Sequence, residues 1–212
     1  MTIQDYKYKY NDDHLVYMKE QIWEAKTDLT VYDRLGAFEF EQIEPYLGTP
    51  KNVLEVGCGL GRGTIFLNHL LGDDTVNYTL ADRTGYTTNT GQYMPQQDEF
   101  YNDLKLTKSF CELNNVKNIQ TFDTELNDWS SLPKFDLIFS LCSFGMHVSI
   151  KRYMERLKSV SASDTTMIFG TRQAGYNQSS FADEFEEVIF TQIPRQRPFP
   201  REDWLILKNP KL

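Results

Sequence analysis

The sequence predicts an α/β fold: an open, mostly parallel sheet of seven strands with helices on both faces, an antiparallel hairpin at its C-terminal end and a helical extension at its N-terminus. Three observations predict it. From residue 51 onward, short apolar runs alternate with helically periodic segments, the pattern of parallel strands joined by crossover helices. The last two apolar runs, 187–193 and 204–208, have no helix between them, as in a hairpin. The first run also ends in a cluster of glycines that precedes a helix, the punctuation of a ligand-binding turn.

The first fifty residues read as helical. Asp13 is placed to cap a segment from His14 to Ala25, with Leu15, Met18, Ile22 and Trp23 near helical spacing. Tyr32–Tyr46 follows, with Leu35, Phe38, Ile43 and Leu47 along one face. Gly48-Thr49-Pro50 then closes the extension, dividing the chain into a helical segment over 1–49 and one compact α/β unit over 50–212. Within that unit the strands fall at 53–56, 76–81, 118–122, 135–141 and 165–169, ahead of the hairpin. Helices at 66–71, 101–115 and 151–160 lie between them. Two stretches depart from this rhythm. Arg83–Phe100 is polar and far longer than the usual strand-to-helix connection of about 2–6 residues. Arg195–Arg201 reads RQRPFPR, whose prolines prevent regular structure.

With 212 residues, 40% apolar and 25% charged, the chain suits a single globular domain. Its net charge of -8 argues against wrapping duplex nucleic acid, where many phosphates must be neutralised. Three cysteines, Cys58, Cys111 and Cys142, are an odd number without CxxC spacing, as in a reduced compartment. The N-terminus is polar, and no run reaches the roughly 20 apolar residues of a membrane span. These features lead us to expect a cytoplasmic protein with a small-molecule partner and no membrane span. Nothing in the pattern fixes an oligomeric state.

The most informative stretch is Val53-Leu54-Glu55-Val56-Gly57-Cys58-Gly59-Leu60-Gly61-Arg62-Gly63. A dinucleotide fingerprint would want glycine at position 62, which is arginine, and a phosphate-binding loop of the Walker type would need a lysine that is absent. Glu55, two positions before the first glycine, and the spacing of Gly57, Gly59 and Gly61 form E-x-G-x-G-x-G. This resembles motif I of the class I S-adenosylmethionine-dependent methyltransferases. The Phe135-Asp136-Leu137-Ile138-Phe139-Ser140 strand is similar to that family's fourth strand, and the likeness runs over roughly residues 50–210.

The resemblance implies a Rossmann-like sheet and S-adenosylmethionine as cofactor. Asp82, at the end of the second strand, is implied to hold the ribose hydroxyls. Asp123, after the third strand, is implied to meet the adenine, although Asp123-Thr124 reads equally as a cap of the next turn. Cys58 in the glycine turn, Arg83 beside Asp82, Thr124 beside Asp123, and Ser140 complete the implied cofactor set, while Glu55 fixes the turn. Helices ahead of this fold shape the acceptor pocket, which assigns specificity to residues 1–49.

The acceptor is read from the segment after the fourth strand. Ser140-Leu141-Cys142-Ser143 lacks the D/N-P-P-Y/F sequence of amino-methylating nucleic-acid enzymes, and no metal-binding aspartate or HxxE cluster is present. The run from Ser140 to His147 is similar to a segment of bacterial sugar O-methyltransferases, with Met146 in place of an aromatic. That implies a sugar or glycan hydroxyl as acceptor, with His147 as the base that takes its proton. As residues alone, His147 reads equally as a cap of the helix starting near Ser149. His69 reads as structural and His14 as exposed. Arg172, Arg195 and Arg197, with Arg201, offer forks for an anionic acceptor or are solvated loop charges; Arg62 reads as a pin for the glycine turn. Tyr86 and Tyr93, in the long loop, read as stacking on a sugar ring or closing over the cofactor, and Tyr6, Tyr8 and Tyr10 as part of a lid; for all five the alternative is packing or surface. Two other functions fit the same residues: methylation of a non-sugar metabolite at O, N or C, and a cofactor-binding module that transfers nothing.

Overall fold

A computed structural model describes residues 4, 6–21, 28–86, 100–143, 149–171, 176–193 and 202–212. In chain order its elements are α1 (Asp12–Gln21), α2 (Thr30–Leu47), β1 (Asn52–Val56), α3 (Arg62–Leu71), β2 (Asn77–Asp82), β3 (Gly85–Tyr86), β4 (Phe100–Asn102), α4 (Leu104–Leu113), β5 (Asn118–Asp123), β6 (Phe135–Ser140), α5 (Ile150–Ser159), β7 (Ser161–Gly170), β8 (Phe185–Ile193) and β9 (Glu202–Pro210).

Seven of the strands form one sheet in the order β5-β2-β1-β6-β7-β9-β8. The pairs β5–β2, β2–β1, β1–β6 and β6–β7 are parallel, whereas β9 is antiparallel to both β7 and β8. A short connection joins neighbouring strands only when they run antiparallel. The hairpin therefore folds β9 back between β7 and β8, leaving β8 at the edge. A small antiparallel pair, β3 with β4, is not announced by the sequence, and β4 corrects the start of the helix expected over 101–115: residues 101 and 102 belong to this strand, and α4 begins at Leu104 with Asp103 as its N-cap.

Alternation along each strand builds two cores. Val53, Tyr78, Leu80, Leu137, Phe139, Ile168 and Ile206 face the first, together with Tyr32, Phe40 and Ile43 of α2, Ile65, Phe66 and Leu67 of α3, and Phe110 and Cys111 of α4. Leu54, Val56, Ile138, Met167, Phe169, Leu205 and Leu207 face the second, covered by Ile150, Met154 and Leu157 of α5 and by Trp129 and Phe181 from short 3-10 turns. Among the described residues no helix is long and apolar enough to cross a membrane.

The N-terminal extension has no core of its own. Tyr8, Tyr17, Met18, Tyr32, Phe40, Ile43 and Leu47 all pack into the first core. Tyr8 is buried and gives its hydroxyl to the Arg62 carbonyl at 3.3 Å, which places this tyrosine in packing rather than in a lid. His14 is likewise buried, correcting the exposed position read from its sequence. Its Nε2 lies 2.8 Å from the Ser109 hydroxyl and its ring lies over Phe110.

The strongest tie between extension and domain is ionic. Arg62, expected to pin the glycine turn, instead reaches Glu39 of α2 through both guanidinium nitrogens, Nη2 to Oε1 at 2.9 Å and Nη1 to Oε2. Glu39 is fully buried and the Arg62 side chain nearly so. A bidentate pair without water depends on both partners, since either alone leaves an uncompensated buried charge. Glu39→Ala should lower stability by about 3–5 kcal/mol, read from urea denaturation midpoints. Replacing both members, Glu39→Leu with Arg62→Met, should recover much of that loss.

Candidate functional site

Strand order reverses between β1 and β6, where the connections leave in opposite directions, so a crevice opens beyond the carboxyl ends of these two strands. The glycine turn, residues 57–61, lies at this point. Gly57, Gly59 and Gly61 have φ of 66°, 53° and 80°, all in the left-handed region. Gly57 also has no space for a side chain: a Cβ there would stand 2.2 Å from that of Ser143, in the segment leaving β6. The turn and that segment are thus in backbone-to-side-chain contact.

Glu55 holds this turn from below. Its Oε2 accepts from the Thr64 amide at 2.9 Å and from the Thr64 hydroxyl at 2.7 Å. A strand side chain thereby caps the first turn of α3, whose N-cap Gly61 has no side chain to do so. Gly63 gives the carboxylate room, because a Cβ there would meet Glu55 Oε1 at 2.6 Å and Phe139 and Leu141 at 2.8 Å. Burial pushes the Glu55 carboxyl up to about 7, against the downward pull of the Thr64 hydrogen bonds.

Asp82 closes the other side. Its Oδ2 accepts from the Gly59 amide at 2.9 Å and its Oδ1 from the Arg83 amide at 2.8 Å. The carboxylate is 6% exposed, and burial raises it to about 6 despite these two bonds. A carboxylate oxygen has two acceptor positions, so each oxygen keeps one for a ligand hydroxyl. The Thr107 hydroxyl donates to the Gly59 carbonyl at 2.5 Å, tying α4 to the same turn.

The remaining expected residues separate into two groups. Cys58, in the turn, is buried, and burial pushes its thiol well up, which keeps it protonated. Ser140 is fully buried at the end of β6. Thr124 donates its amide to the Asp82 carbonyl at 2.9 Å, and Arg83 pairs with Glu125 at 3.8 Å. Asp123 takes the capping role: its Oδ1 accepts from the amides of Glu125 and Leu126, and its Oδ2 from that of Thr84 at 3.2 Å. His147, Arg172, Arg195, Arg197, Arg201 and Tyr93 lie outside the described residues. The first amide of α5, that of Ile150, is served by the Tyr176 hydroxyl at 3.0 Å. Gly63, Thr64, Thr107 and Ser143 are contributors that the sequence reading missed. Gly63 alone carried a signal, since it extends the glycine spacing to a fourth position.

No protein-family model matches the chain, and a search among curated proteins gives no match. Solved structures do resemble it. A methyltransferase from Geobacter sulfurreducens superposes with a TM-score of 0.54 at 13% identity, over 94% of this chain and 91% of that one. A candidate O-methyltransferase from Nostoc punctiforme PCC 73102 gives 0.56 at 13% identity, over 92% of this chain, which spans 61% of that longer protein. The N-terminal domain of EvdMO1, solved in the presence of SAH and D-fucose, gives 0.52 at 13% identity, over 83% of this chain and 82% of that one. The chain therefore has the Rossmann-like fold of the class I methyltransferases.

The raised carboxyl of Glu55 makes stability pH-dependent. Between its unfolded value near 4.5 and its folded value near 7, the native state holds a proton that the unfolded chain has lost. The resulting stability is complete below pH 4.5 and is lost as pH rises through 7. Asp82 acts with the same sign between 3.8 and about 6. Glu55→Gln, whose amide oxygen still accepts from Thr64, should flatten the fall in denaturation midpoint between pH 6 and 7.5.

Proposed function

We propose that this chain is an S-adenosylmethionine-dependent methyltransferase that acts on a hydroxyl oxygen of a small acceptor derived from a sugar or glycan. The observation that carries the cofactor reading is the buried Asp82 carboxylate. It is anchored on the Gly59 amide across the switch-point crevice of a methyltransferase fold, with an acceptor position left on each oxygen. Two adjacent ribose hydroxyls match those two positions. The glycine turn offers a backbone surface without Cβ atoms for the amino-acid moiety, and an acidic site suits a sulfonium.

When bound, S-adenosylmethionine supplies an electrophilic methyl group on a positively charged sulfur. The protein's work is then to position and to take up a proton. His147, in the segment between β6 and α5, is assigned as the base: an imidazole nitrogen would take the proton of the acceptor hydroxyl. Holding the acceptor hydroxyl in place against the bound cofactor would supply much of the rate. Asp123, already occupied as a cap, is left its outward edge for the adenine. Residues 1–49, of which Tyr8 and Glu39 bond Arg62 at the head of α3, are assigned to the acceptor pocket. Arg172, Arg195 and Arg197 are assigned to anionic groups on the acceptor. The sugar assignment draws on the segment from Ser140 to His147, and the D-fucose present with EvdMO1 is compatible with it.

Calorimetric titration with S-adenosylhomocysteine should give a dissociation constant in the micromolar range, about -8 kcal/mol, and Asp82→Ala should weaken it at least tenfold. Because Asp82 titrates near 6 when free, affinity should also fall as pH drops below that value. His147→Ala should leave this binding intact while lowering methyl transfer to a hydroxyl acceptor by about 10²–10⁴. Absence of binding by the native protein overturns the cofactor reading, and unchanged turnover of His147→Ala overturns the base.

A further inference from the structure

Asn102 ends β4, just ahead of α4, and is 1% exposed. Its side-chain oxygen is committed, accepting from the Asp103 amide at 2.9 Å and standing 3.5 Å from the Thr107 hydroxyl. That fixes the orientation of the carboxamide, because the flipped group would set its own N–H against that of Asp103. Nδ2 therefore faces away from Asp103, and it has no partner among the described residues. A buried amide N–H without an acceptor costs about 1–3 kcal/mol, and native structures keep few such groups.

Its surroundings say what the donor is for. The Thr107 hydroxyl beside it bonds the Gly59 carbonyl, and the Gly59 amide bonds Asp82 Oδ2. The backbone of Asn102 pairs with Gly85, three residues beyond Asp82. The side chain that carries the orphan donor is thus linked through Thr107 and Gly59 to the Asp82 carboxylate, a group that can only accept. A vicinal diol held by Asp82 donates its hydroxyl hydrogen bonds to that carboxylate. Its oxygens keep lone pairs that would be buried without a donor.

We infer that Asn102 Nδ2 supplies that donor to a ribose hydroxyl oxygen of the bound cofactor, so that the diol is read by one acceptor, Asp82, and one donor, Asn102. This rests on the cofactor reading above. It places part of the cofactor site on the β3–β4 pair rather than on the glycine turn or on β2 itself.

The test is a binding cycle by calorimetry. S-adenosylhomocysteine and its 2′-deoxy and 3′-deoxy analogues are titrated into the native protein and into Asn102→Ala, with Asn102→Ser as the second variant should the alanine form not fold. In the native protein, removing the hydroxyl that Asn102 contacts should weaken binding about 100-fold. In the variant the same removal should cost only about tenfold, because Asp82 still reads the hydroxyl. Equal losses for both analogues in native and variant proteins, or a variant that binds S-adenosylhomocysteine as tightly as the native protein, overturn the assignment of Asn102 and leave the cofactor reading standing. A native protein that binds none of the three overturns both.

Discussion

Glu55 sits in the middle of β1 without access to water, and its carboxylate caps the first turn of α3 from nine residues upstream. This interaction sets the shape of everything above it. The strand and the helix are fixed to each other at a single point, so the residues between them must complete the reversal inside a short arc. Left-handed glycines are what make such an arc possible. The carboxylate also dictates its neighbours: Thr64 must donate, and Gly63 must be without a side chain. Burial of an ionisable group opposes this arrangement. Its persistence reflects the orphan helix amides that would otherwise have no partner.

A second tier of contacts transmits this anchoring outward. Arg62, one residue past the turn, carries it to Glu39 and so to α2, while its carbonyl receives Tyr8. Thr107 carries it from Gly59 to α4, and the Gly59 amide carries it to Asp82. The N-terminal extension, the switch-point crevice and the β3–β4 pair are thus referred to one turn of backbone. The α2 helix buries Glu39 among apolar residues because that is where the arginine of this turn emerges.

Much of this was legible in the sequence. The central strands β1, β2 and β6 were visible as apolar runs because parallel strands buried on both faces have little choice of residue. The glycine spacing with Glu55 and Asp82 pointed to one cofactor class before any geometry was known. What escaped has a common cause in interactions distant along the chain. The start of α3 was read at Phe66 rather than Arg62, since its capping group lies on β1 and no local Ser, Asp or Asn announces it. His14 looked exposed in a polar setting but is enclosed by Ser109 and Phe110, about a hundred residues away. The β3–β4 pair was hidden because two and three residues are too few to show alternation. Asp123 illustrates the opposite case: the local turn chemistry read from Asp123-Thr124 was realised.

The position of β9 has a bearing on how the protein is made. The strand lies between β7 and β8, yet it follows both of them in the chain. Until it emerges during synthesis, β8 has no neighbour on either side, and β7 presents an unpaired apolar edge. The parallel half of the sheet, with the glycine turn and Asp82, is translated first and can assemble vectorially. Closure of the sheet waits for residues 202–210. A ribosome that stalls short of residue 202 would release a chain that has its ligand-binding half in place and an open, aggregation-prone seam in the other.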